Sequence, residues 1–205
     1  MTVDDQVAQH SDEYAMPRTP ALVTVCAGQY LSATGAGAPG GAEFQAKLGA
    51  LYGYAYTIKF AKKQAGTDSF KVAPLEALWW VAGGGQAFTA PKRSWRWKLL
   101  LRVPPSVHPA DLRAARAALR AKGRPATGVR LETIAEGSSI QMLHVGAYGD
   151  EPGTIARMGA FAHEHHLRFR GRHHEIYLSD PRRVAPARLR TILRHPVAAT
   201  RPRTN

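Results

Sequence analysis

The sequence predicts an α+β fold built from a duplicated βαββ unit, two modules related by a pseudo-twofold axis around a central ligand cleft. Two observations predict it. Apolar residues recur with period two in short runs and with helical spacing in longer ones, and the order strand, helix, strand, strand occurs twice along the chain. Local echoes strengthen the second: Leu100-Leu101-Arg102-Val103-Pro104 parallels Ile192-Leu193-Arg194-His195-Pro196, and Leu75-Glu76-Ala77-Leu78-Trp79 parallels His174-Glu175-Ile176-Tyr177-Leu178. On that alignment Glu76 and Glu175 hold equivalent places, and each half supplies one glutamate and one helix to a shared cleft.

Residues 1–20 are polar, carry Pro17 and Pro20, and read as a flexible leader. Ala21 to Tyr30 is apolar and rich in β-branched residues, a strand, followed by the Gly-rich stretch Ala33 to Gly41. From Ala42 to Lys63, Phe44, Leu48, Leu51, Ala55 and Ile58 fall near helical spacing and predict a long amphipathic helix. Strands are predicted at about Pro74–Val81 and Trp95–Val103, with a turn at Gly83–Gly85 between them. Pro104, Pro105 and Pro109 lead into a linking helix at about 109–122. The pattern then restarts. Val129–Ala135 and Ser138–Ala147 read as a strand pair turning at Glu136-Gly137, Glu151–His166 as a helix, His173–Leu178 and Arg188–Arg194 as strands. One domain thus covers 21–197, with halves at about 21–104 and 129–197, and 198–205 reads as a flexible tail.

The chain has 205 residues, one cysteine and a formal net charge of +13. A single cysteine excludes an internal disulfide framework, and no apolar run approaches the ~18 residues a bilayer span needs. The acids near the N-terminus do not suit a secretory signal, so a cytoplasmic protein is expected. Ten arginines fall between Arg168 and Arg203. A basic surface attracts polyanions, but no recognition-helix pair or zinc-finger spacing accompanies it, so specific nucleic-acid binding and membrane binding are not expected. A monomer or weak dimer is.

Strand alternation sends Glu175 and Tyr177 to one face and Ile176 to the other. In a cleft, desolvation would raise the Glu175 pKa and ready it as a base or hydrogen-bond donor; on a wet edge strand it would do neither, and both readings stand. Glu76 shares its face with Leu78 and Trp80 and is a candidate second acid, as is Glu132. Trp79, Trp80, Trp95 and Trp97 crowd two adjacent strands, and Tyr52, Tyr54 and Tyr56 the preceding helix. Such flat side chains wall pockets for planar ligands or fill cores, and about half are expected in each role.

Three motifs carry less than they promise. Gly35-Ala36-Gly37-Ala38-Pro39-Gly40 matches the dinucleotide fingerprint in form but lacks a parallel second strand with a ribose-binding acid. His163-Glu164-His165-His166 misses the zinc-protease spacing because position 167 is leucine. His173 and His174 beside Glu175 suit orientation of the carboxylate better than metal, so no metal or cofactor is expected. Cys26 reads as an inert core thiol.

Four separated strings, in order, carry a resemblance: Tyr56-Thr57-Ile58-Lys59-Phe60, Pro74-Leu75-Glu76-Ala77-Leu78-Trp79-Trp80, Gln141 through Pro152, and His173 through Arg183. Over about 21–197 the chain resembles the stand-alone GyrI-like small-molecule-binding proteins. The resemblance implies a duplicated βαββ (SHS2-like) fold enclosing an aromatic-lined cleft with a buried glutamate, here Glu175. The leader is too short for the helix-turn-helix of the regulatory members. Within the family the sequence is similar to the cyclopropanoid cyclopropyl hydrolases, self-resistance enzymes against DNA-alkylating antibiotics of the yatakemycin type. Ala147 stands where the family carries proline, and the extended loop Gly83–Pro91 is a second departure, at the pocket rim on which substrate choice depends. What the resemblance implies is water addition to the drug's cyclopropane, with Glu175 assisted by Tyr177 and a second acid, Glu76 or Glu132. Trp79, Trp80, Trp97, Tyr54, Tyr148 and His174 would contact the antibiotic. A non-catalytic drug-sequestering protein is the alternative.

Overall fold

The computed structural model describes residues 3–83 and 90–200. The chain runs through β1 (Val3–Asp4), α1 (Gln6–Gln9), β2 (Ala21–Val25), β3 (Gly28–Ala36), α2 (Ala42–Gln64), β4 (Ser69–Phe70), β5 (Glu76–Val81) and β6 (Trp95–Arg102). It continues through α3 (Pro109–Ala121), β7 (Val129–Ile134), β8 (Gly137–Val145), α4 (Glu151–Glu164), β9 (Leu167–Phe169), β10 (His173–Tyr177) and β11 (Arg190–Ala199). This is a mixed α+β fold on a large antiparallel sheet of order β2-β8-β11-β10-β5-β6-β3-β7, with β9 added beside β11; β1 and β4 form a separate parallel pair. No helix among the described residues is long and apolar enough to cross a membrane.

Helix positions follow from the apolar spacing. Ala50, Leu51, Tyr54, Ala55 and Ile58 of α2 are buried against Leu31, Trp97, Leu99 and Leu101 of β3 and β6. α3 begins with Pro109 in its first turn, where a missing N–H costs nothing, and Asp111 accepts the His108 backbone N–H at 2.8 Å. Its Ala115 and Leu119 join the α2 cluster. α4 lays Ile155, Met158 and Ala162 on Ile140, Met142, Leu193 and Val197 of β8 and β11. Burial of each large apolar side chain is worth roughly 1.5–3 kcal/mol, so these two clusters clamp one helix on each wing of the same sheet face.

The middle of the chain differs from the sequence reading in its pairing. β7 and β8 are both strands, but they do not form a hairpin: β7 pairs with β3, and β8 with β2 and β11. Likewise the run Ala21–Tyr30 is two strands, broken at Cys26-Ala27, and β3 continues to Ala36 inside the Gly-rich stretch. Each junction leaves only two residues between strands that lie near opposite ends of the sheet order. Such a link reaches at most about 11 Å, so the sheet curls until its two ends approach each other at the rim that carries these junctions. Gly137, at φ 67°, takes the left-handed conformation needed there. Cys26, expected in the core, is exposed at the first junction, and its backbone N–H donates to Glu13 at 3.2 Å.

The leader is also packed rather than free. Tyr14 is buried with Ile176 and Ile192, and Gln6 and Glu13 are buried polar residues. A polar segment suits this place because the sheet face it covers is itself polar: Arg102, Arg194, Gln141, Glu76 and His174 are all buried on it. Glu13 pairs with Arg102 at 2.6 Å, and Arg194 donates to the Glu13 carbonyl and, at 2.7 Å, to Gln141. Of the tail, Ala198 and Ala199 belong to β11, and 201–205 lie outside the described residues.

Candidate active site

β5 and β10 are the two middle strands, paired with Glu175 opposite Ala77, Ile176 opposite Glu76 and His173 opposite Trp79. Opposed residues share a face, so His173, Glu175, Tyr177, Ala77 and Trp79 lie on the helix-bearing face. Glu76, Leu78, Trp80, His174 and Ile176 lie on the reverse. The echo that equated Glu76 with Glu175 is one residue out of step with this register, and one residue is a change of face.

Glu175 is 5% exposed. The Tyr177 hydroxyl donates to its Oε2 at 2.6 Å and accepts the Trp79 indole N–H at 3.2 Å, a short relay into the carboxyl. His173 Nε2 is 3.6 Å from Oε1. The walls are aromatic: Phe44 stacks on Trp79 at 6.2 Å, Trp95 meets Trp79 edge-on at 5.4 Å, and Tyr148 meets Tyr177 edge-on at 5.9 Å. Tyr148, 39% exposed, is at the rim. Burial raises the Glu175 pKa against the hydrogen bonds from Tyr177 and Trp79, which favour the carboxylate. Burial also pushes His173 well below the usual histidine range, so its ring is neutral.

Four of the expected site residues thus come together: Glu175, Tyr177, Trp79 and Tyr148. The others do not. Glu76 accepts from Tyr14 at 2.6 Å and faces His174 Nε2 at 3.0 Å on the reverse side. His174 bonds Glu136 at 2.8 Å through its other nitrogen; burial alone would depress its pKa, but Glu136 and Glu76 carry it up to about 9. Glu132 is on the edge strand β7, in an ion pair of 2.7 Å with Lys98. Trp80 is on the reverse face under the Arg172 guanidinium, 3.7 Å from its ring. Trp97 is fully buried, edge-on to Phe44. A Cβ at Gly35, its cross-strand partner, would fall 2.2 Å from the Trp97 ring, so the first glycine of the apparent dinucleotide fingerprint serves packing. Tyr54 is fully buried in α2, donating to the Ala126 carbonyl at 2.7 Å and accepting from Arg116 at 3.1 Å.

The sequence reading missed Glu151. This first residue of α4 is 2% exposed, and burial, then the charge of Glu175, raise its pKa strongly. An acid opening a helix ordinarily complements the helix dipole, so the sequence alone does not set Glu151 apart. Among the described residues no group of three or more His, Cys, Asp or Glu is placed to hold a metal ion. Of the extended loop, 84–89 lie outside the described residues.

The site is thus a dry carboxyl under a hydroxyl and an indole, on the helix-bearing face of a curled antiparallel sheet. A family model for the GyrI-like small molecule binding domain matches residues 114–198. An uncharacterized conserved protein from Listeria innocua is 36% identical with a TM-score of 0.89, covering 95% of this chain and 100% of its own. Two structures of Listeria innocua proteins named hydrolases are each 34% identical, with TM-scores of 0.86 and 0.88, covering 95% and 96% of this chain and 100% of theirs. No curated protein matches. The chain belongs to the GyrI-like small-molecule-binding family.

Proposed function

We propose that this protein is a hydrolase that opens the cyclopropane ring of DNA-alkylating cyclopropapyrroloindole antibiotics by adding water, a cytoplasmic self-resistance activity. The observation that carries the reading is Glu175, buried on the sheet face between the two helices with Tyr177 donating to it at 2.6 Å. Membership of the family supplies small-molecule binding, and the hydrolase names of two 34%-identical relatives supply the reaction class. The strand order supports two βαββ modules about a pseudo-twofold axis: read from either end, it places a short edge strand, then the strand preceding a long helix, then the two strands that follow it.

The drug's ring is strained and conjugated to a dienone, so attack at the ring carbon drives electrons to the carbonyl oxygen and leaves an aromatic phenol. Glu175, with its raised pKa, accepts the proton of the attacking water, a role worth ~10²- to 10⁴-fold. Tyr177, itself held by the Trp79 indole, fixes the carboxyl's orientation, and Tyr148, exposed at the rim, offers a flat surface to the fused rings. The test is incubation with a cyclopropapyrroloindole, followed by mass spectrometry for a gain of one water. Wild type should convert the drug; Glu175→Gln should keep fold and drug binding and lose most turnover. Binding without water gain in wild type would favour the sequestering reading, and full activity in Glu175→Gln would reject the role of Glu175.

A further inference from the structure

Of the buried acids to which the reaction above gives no task, Glu13, Glu76 and Glu136 sit in ion pairs, and Glu151 is the one left to explain. It opens α4, where backbone N–H groups and the positive end of the helix ordinarily stabilise a carboxylate. Here no hydrogen-bond partner reaches its Oε1 among the described residues. Three residues earlier, Tyr148 sets its ring against Tyr177 at 5.9 Å, and Tyr177 holds Glu175 at 2.6 Å. The charges of Glu151 and Glu175 each bear on both tyrosine hydroxyls, making them less acidic. Tyr148, Tyr177 and Glu175 are thus in contact one after another, and Glu151 is buried three residues along the chain from the first of them. No lysine or arginine among the described residues pairs with either carboxyl. The Tyr177 hydroxyl donates to Glu175 and favours its carboxylate, whereas nothing among the described residues reaches Oε1 of the buried Glu151, so of the two acids Glu151 is the one that burial keeps protonated.

We propose that Glu151 is the proton donor of the reaction, delivering its proton to the carbonyl oxygen of the substrate while Glu175 takes one from water. The inference rests on the hydrolase reading and completes it. A bond forms between the water oxygen and the ring carbon, and the ring carbon–carbon bond breaks. Its electron pair passes through the dienone to the carbonyl oxygen, which gains the Glu151 proton. The proton lost by water resides on Glu175, and its transfer to Glu151 restores the starting pair. The net change is addition of one water. The pair thus suits a neutral planar substrate with a conjugated carbonyl, one acid facing the oxygen and its partner the water.

The test compares wild type and Glu151→Gln for hydrolysis across pH, for drug affinity, and for thermal stability. Glu151→Gln should lose on the order of 100-fold in turnover, bind the drug as wild type does, lose the alkaline limb of the pH–rate profile, and melt no lower. An unchanged rate and alkaline limb in a variant of an active wild type overturns the assignment alone; a wild type that adds no water overturns it together with the hydrolase reading. Should the variant not fold, carbon-13 titration of wild-type glutamate carboxyls decides. One of the pair should stay protonated above pH 7, and titration of both in the usual carboxylate range would overturn the proposal.

Discussion

Glu76 and Glu175 lie on adjacent strands, nearly opposite one another, and both are buried; the pleat alone separates them. On the reverse face Glu76 belongs to a matched set. Tyr14 donates to it, the His174 ring bridges it to Glu136, and Arg194 adds a second cation 3.2 Å from Glu136. On the helix-bearing face Glu175 has one tyrosine, one indole and a neutral histidine, with a second acid in range of its charge. Burial costs both carboxyls solvation. Opposite charges offset that cost on one face, whereas a raised pKa records it on the other. The first arrangement fixes a fold, and the second holds chemical potential for a ligand.

The comparison breaks most visibly if the two glutamates are exchanged in role. Glu76→Ala should destabilise the protein by about 3–5 kcal/mol, because it leaves the His174 charge with one partner fewer in a dry interior. Glu175→Gln should leave the melting temperature unchanged or higher, since it removes a carboxyl whose ionisation burial disfavours. Urea or thermal melts of the two variants check the contrast. Equal losses of stability would mean that both faces are structural.

A pH series sharpens it next. His174 is raised from its ordinary 6.5 to about 9, so the folded state holds its proton more tightly than the unfolded chain does. Its contribution is complete below about pH 6.5 and is lost as pH rises through 9. Two and a half pKa steps correspond to on the order of 3 kcal/mol. On the acid side Glu136, which burial alone would raise but which His174 and Arg194 hold near 2, loses its contribution as pH falls from 4.5 toward 2. His195, kept neutral by burial near 4, loses its own as pH falls from 6.5 toward 4. Wild-type stability measured by denaturant melts should therefore drop between pH 6.5 and 9, and His174→Gln should remove that part of the drop while leaving the decline that Glu151, whose pKa burial raises from 4.5 to about 10, adds as pH rises.

Much of this architecture was legible because periodicity is local. The spacing of Leu48, Leu51, Ala55 and Ile58 marks a helix whatever it packs on, and α2 ends one residue beyond its predicted limit. Alternation placed Glu175 and Tyr177 on one face, and they are. Register is a different kind of information. Nothing local says that Glu76 pairs with Ile176 rather than with Glu175, and that step moved Glu76 and Trp80 to the reverse side, where alternation already put His174, the neighbour of Glu175. The same gap hid the pairing of β7 with β3, since Glu136-Gly137 is a sound turn whether or not the flanking strands meet. The leader looked free because its residues are polar, a sign that misleads where the surface beneath is polar too. Glu151 was hidden by a place in the helix that explains an acid without a site.

The smallest effect tests the faces through two neighbours in sequence. Trp80 lies with Glu76, half-buried under Arg172, and Trp79 lies with Glu175, its indole bonded to Tyr177. Trp80→Leu removes a cation–π contact worth about 0.5–1 kcal/mol at a partly exposed position. It keeps an apolar side chain over Leu100 and Leu78, with which Trp80 packs. Stability should fall by that small amount, and drug conversion and affinity should match wild type, because no group on the helix-bearing face loses a partner. Weakened drug affinity in Trp80→Leu with an unchanged melting curve would place the ligand on the reverse side of the sheet. The division between a charge-matched face and a reactive one would then fail at the strand that defines it.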